Sequence, residues 1–137
     1  MVIIYEILTR QPYTSVGNGS GRKIEPTVLE EINNPDNEIY YSVLSVWEIT
    51  LKNAKNPTAM PITGAEFVDY CDKSGFIRLP LINNHVKQLP TLKKDEAISH
   101  KDPFDRMLIC QAKSEGITFI THDEKLTAYH EQCVRLI

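Results

Sequence analysis

The chain has 137 residues, 42% of them hydrophobic and 24% charged, with a formal net charge of −3. This length suits one domain with a real core, and the composition excludes disorder as the default. The acidic balance excludes a broadly basic nucleic-acid binder, although acids gathered around a metal would themselves depress the charge. Cys71, Cys110 and Cys133 show no C-x-x-C spacing and read as inert thiols in a reducing compartment. No apolar run approaches the roughly 18 residues of a membrane-spanning helix, and no secretory signal pattern is present, so a cytoplasmic chain is expected.

In chain order, residues 2–9 are ambiguous. Their β-branched content suits a strand, but Ile3, Ile4, Ile7 and Leu8 also fall on one helical face. The glycine-rich stretch 16–23 reads as a linker, since neither P-loop nor G-x-G-x-x-G spacing is present. Pro26 opens a short helix ending near Asn33-Asn34-Pro35. A strand is expected over 38–43, followed by a helix capped by Ser42 or Ser45. Ser45-Val46-Trp47-Glu48 matches a capping box, and Glu48 with Lys52 forms a favourable i,i+4 pair. Thr63-Gly64-Ala65-Glu66 starts a further helix that Gly75 ends. A strand follows over 76–79, then a helix capped by Asn83 or Asn84. Residues 91–101 are polar and mixed in charge, either a solvated loop or a rim for phosphates. A final edge strand is expected over 133–137.

The most informative stretch runs from His100 to Asp123. Asp102 is a candidate N-cap and Pro103 fits the first helical position. The run Asp105 to Ala112 is apolar on nearly every face, predicting a buried helix. Gly116 suits a left-handed C-cap, and residues 117–121 suit a buried parallel strand. Asp105 then lies in a first helical turn and Asp123 just past the carboxyl end of a strand, where open α/β sheets bind ligands. Each acid also has a purely structural use: Asp105 beside the helix dipole, Asp123 as a cap for the helix at 124–130.

The motifs Asp102-Pro103-Phe104-Asp105-Arg106 and Thr121-His122-Asp123, with Ser45-Val46-Trp47-Glu48-Ile49 and Lys52, resemble PIN domains, specifically the VapC-like toxins. The resemblance covers roughly residues 25 to 137. It implies a three-layer α/β/α sandwich around a mostly parallel sheet, one domain over 1–137 with an atypical segment at 1–24. It also implies a metal-dependent ribonuclease using Mg2+ or Mn2+, with RNA as substrate, a cognate antitoxin as partner and a homodimer as the common assembly. Glu48, Asp105 and Asp123 would be three of the usual four acids, catalytic and metal-binding. Lys52, Arg106 and His122 are the substrate-binding candidates; Arg106 either reaches phosphate or pairs with an acid. His85, His100, His122 and His130 lack zinc-site spacing.

Such domains open with a strand ending in an aspartate, and no aspartate precedes Asp36. Either residues 2–6 form that strand and Glu6 replaces the acid, or residues 2–9 are the helix after it and the strand is missing. The second alignment is preferred here, which implies an impaired enzyme. Two readings follow: the endoribonuclease toxin of a type II toxin–antitoxin pair, or a degenerate module that binds antitoxin or RNA without cutting.

Overall fold

A computed structural model describes residues 2–4, 26–93 and 102–137. In chain order these form β1 (Val2–Ile4), α1 (Pro26–Asn33), β2 (Ile39–Ser42), α2 (Val43–Lys55), α3 (Gly64–Lys73) and β3 (Ile77–Leu79). Then come α4 (Asn83–Lys87), a 3-10 turn (Leu89–Thr91), α5 (Pro103–Glu115), β4 (Thr118–Thr121), a second 3-10 segment (Glu124–Tyr129) and β5 (Val134–Leu136). The strands make one sheet in the order β3-β2-β1-β4-β5, and every pairing is parallel.

The preferred alignment, which made residues 2–9 a helix and left the sheet without its opening strand, is overturned. Val2 and Ile3 pair with Ile39 and Tyr40 on one side, and Val2, Ile3 and Ile4 pair with Thr118, Phe119 and Ile120 on the other. The opening strand is therefore the centre of the sheet. The physical reason lies in the pattern: an apolar run without alternation suits a central parallel strand and one face of a helix alike. Glu6 and the glycine-rich linker lie outside the described residues.

Alternation along the strands divides the core into layers. Phe119 packs on one side of the sheet with Leu44, Leu108, Ile109 and Ala112. Ile120 packs on the other with Val28 and Ile39. On that second side Tyr41 joins Ile49, Phe67 and Cys71 between α2 and α3. Helices thus cover both faces, the α/β/α arrangement expected. Gly64 lets α2 and α3 approach closely, since a Cβ there would run into Thr50 Oγ1.

The helix punctuation follows the chemistry of short polar residues, with two corrections. Ser42, the last residue of β2, caps α2 by accepting from Leu44 N at 3.1 Å. No loop separates strand from helix, so the cap has to sit on the strand itself. Ser45 lies inside α2, and the capping-box reading of Glu48 is therefore wrong. For α4 neither Asn83 nor Asn84 caps; Ile82 holds that position, and its N–H donates to His85 Nδ1 at 3.2 Å. An accepting Nδ1 leaves the proton on Nε2, which donates to Glu115 Oε1 at 2.6 Å. His85 is thus a buried, fully engaged imidazole.

α5 is built as the sequence predicts. Asp102 accepts from Phe104 N at 2.9 Å and Asp105 N at 3.3 Å, Pro103 is the first helical residue, and Gly116 takes a left-handed φ of 66°. The thiols are free; burial pushes Cys71 up to about 12 and Cys110 up to about 11, which suits inert core residues.

Candidate active site

Parallel strands point all their carboxyl ends one way, and three connections deliver acids to that edge. α2 leaves the edge directly from β2 and carries Glu48 on its second turn. α5 runs back towards the start of β4, so its first turn, with Asp102 and Asp105, lies at the carboxyl end. Asp123 follows β4 by two residues. Sheet order reverses between β1 and β4, the crevice where α/β proteins bind ligands.

Glu48 is 5% exposed and Asp105 7% exposed. Glu48 pairs with Lys52 at 2.7 Å, and its second oxygen, Oε2, is buried without a hydrogen-bond partner among the described residues. Burial pushes the Glu48 carboxyl above its ordinary value, Lys52 opposes this, and Asp102 adds to the upward push by charge repulsion. Asp102 therefore stands close enough for its charge to be felt at Glu48. Trp47 closes the same seam from α2, its ring edge-on to Phe104 of α5 with centroids 5.1 Å apart. Burial raises the Tyr129 hydroxyl, Arg106 draws it down, and Asp105 and Asp102 raise it further. Tyr129, Arg106, Asp105 and Asp102 thus share one neighbourhood.

Asp123 is half-buried and caps the second 3-10 segment, accepting from Lys125 N at 3.0 Å. Its own N–H donates to Thr121 Oγ1 at 3.0 Å, a turn that fixes the end of β4. His122 Nδ1 lies 2.9 Å from Ile137 O; a carbonyl only accepts, so Nδ1 donates. Lys52 is an exposed cation fastened to Glu48. Among the described residues, no three His, Cys, Asp or Glu side chains are grouped to hold a metal ion. The structure sets Glu48 within the electrostatic reach of Asp102 and places Asp105 and Asp123 on the same sheet edge. Asp102's influence on Glu48 was missed in the sequence, where its spacing to Asp105 shows only the cap. His100 and the rim at 94–101 lie outside the described residues.

Glu48 gives a pH signature. Its folded pKa exceeds its unfolded one, so folding takes up a proton within the window that opens above the ordinary value of 4.5. Stability from this group is greatest below that value and declines as pH rises through the folded pKa. Glu48→Gln is expected to melt higher than the parent chain at neutral pH, with the gap closing as pH falls to the bottom of the window. Thermal melts of both chains across that range check it; a gap that stays constant would contradict the burial argument.

Acids at the carboxyl edge of a parallel α/β/α sheet lie where such folds bind their ligands. The sequence profile of the PIN domain matches residues 20–131, and the chain belongs to the PIN domain family. A search of curated proteins found no match. Family membership points to a nuclease. PIN nucleases act on RNA or DNA, generally with a divalent metal, and often pair with antitoxins. No helix among the described residues is long and apolar enough to cross a membrane.

Proposed function

We propose that this chain is a metal-dependent endoribonuclease, the toxin of a type II toxin–antitoxin pair, acting in the cytoplasm as one PIN-like domain. The observation that carries the reading is Glu48: a buried carboxylate with one oxygen unpartnered, pushed towards protonation, beside further acids at a sheet edge. Bare anionic burial is costly, and a cation next to Oε2 would relieve it. The donors fit Mg2+ or Mn2+, which take one or two carboxylates and complete their shell with water and phosphate. Glu48 and Asp105 would hold the ion, with Asp123 reaching it directly or through water. Bound there, the ion would lower the pKa of its water and neutralise charge on the scissile phosphate. Lys52 keeps Glu48 oriented, and Asp102 holds the α5 terminus that carries Asp105. Arg106 and His122 would meet RNA phosphates from that edge.

The partner reading has its own support. Val43, Trp47 and Leu51 are exposed at i, i+4 and i+8 of α2, an apolar stripe that suits an antitoxin or a second copy in a homodimer.

Two observations favour the non-cleaving alternative. The described residues group no three acids, and the chain has no aspartate before Asp36. The strand that normally presents that acid is present, however, and Glu6 follows its last residue by two positions. The test is cleavage of single-stranded RNA by the purified chain. Cutting in Mg2+ that stops in chelator and returns with added metal is expected. RNA bound but left intact would select the non-cleaving module.

A further inference from the structure

We propose that Ser45 is a positioning residue whose hydroxyl and Glu48 Oε2 together hold one water in the shell of the bound cation. This rests on the nuclease reading above and extends it to a residue outside the acid set. Ser45 is 0% exposed. Its Oγ and Glu48 Oε2 are the two buried side-chain atoms without a hydrogen-bond partner among the described residues. They sit three apart on α2, hence on one face of the helix. The neighbouring hydroxyls behave differently. Ser42 Oγ donates to Gln111 Oε1 at 2.5 Å, and Thr50 Oγ1 donates back to Val46 O at 2.7 Å. Ser45 makes no such back-bond, so its hydroxyl remains available to a further group.

The chemistry of the pair specifies that group. An ionised carboxylate only accepts, whereas a hydroxyl both donates and accepts. A water between them accepts from Ser45 and donates to Glu48 Oε2, satisfying both orphans. Such a water keeps a lone pair for a metal, which suits ions that retain water in their shell. Ser45 therefore fixes the position of a shell water without touching the metal.

The test uses the full chain and Mn2+ alone, with affinity measured by calorimetry and the melting temperature measured in chelator. For Ser45→Ala, Mn2+ affinity is expected to fall about tenfold, as when outer-shell partners of a metal site are removed. Its metal-free melting temperature is expected to equal or exceed that of the parent, because an orphan hydroxyl is gone and alanine is the better helix former. Unchanged Mn2+ affinity in Ser45→Ala, with the parent binding normally, would overturn the role of Ser45 and leave the nuclease reading standing. A Ser45→Ala chain that melts lower or fails to fold would show a purely structural hydroxyl and also overturn it. A parent chain that binds no Mn2+ would remove both.

Discussion

Asp105→Asn is expected to reduce magnesium-dependent RNA cleavage by about 10²–10³-fold, the usual loss when one preorganised electrostatic contact is removed from a reacting centre. Even the lower figure corresponds to roughly 2.7 kcal/mol of transition-state stabilisation. The effect on folding should be far smaller. Asp105 is the third residue of α5, and the backbone groups at that terminus are capped by Asp102, not by Asp105. Losing the charge beside the helix dipole costs folding about 0.3–1 kcal/mol. Asparagine keeps the shape and a hydrogen-bonding oxygen, so the buried site need not collapse. Cleavage rates and thermal melts on the same preparations separate the two effects. Equal losses in both would mean that Asp105 serves the fold and that the site has been misassigned.

Phe119→Ala is expected to destabilise the chain by about 3–5 kcal/mol, the range for deleting a buried aromatic ring. Phe119 is 0% exposed within the main core cluster. It also lies where the sheet is most dependent on neighbours: it pairs with Ile3 of β1, and its N–H donates to Cys133 O at 2.7 Å. Domains typically hold only about 5–15 kcal/mol in total, so the melting temperature should drop by roughly 10–20 °C. Thr118→Ala, at a half-buried position one residue earlier, should cost under about 1 kcal/mol. Denaturant unfolding of both variants checks the contrast. Similar losses at 118 and 119 would mean that the alternation dividing the two core layers is wrong.

Local chemistry was the legible part of this sequence. Asp102, Pro103 and Gly116 mark α5 because a cap, a fixed φ and a left-handed φ each demand particular residues. Where the sequence misled, the deciding information was distant or depended on context. β1 is a strand because Ile39 and Thr118 flank it, and nothing within residues 2–9 reveals that. Ser42 rather than Ser45 caps α2 because the strand runs straight into the helix. His85 takes a capping role through its ring, a variant of the carboxylate reach-back that the paired asparagines concealed. The candidate acids were read from their order along the chain, by resemblance to the family's motifs. Their partial gathering, with Asp102 acting on Glu48 and Asp123 held in a cap, required coordinates.

The central claim is that Glu48 and Asp105 share a divalent cation at the carboxyl edge of the sheet. The most direct measurement is the anomalous scattering of a crystal equilibrated with Mn2+. A peak lying about 2.0–2.2 Å from a carboxylate oxygen of Asp105, typical of small hard cations, with a water of its shell on Glu48 Oε2, is the predicted result. A crystal that takes up manganese only at other sites, leaving Glu48 Oε2 without a cation or a shell water, would contradict it.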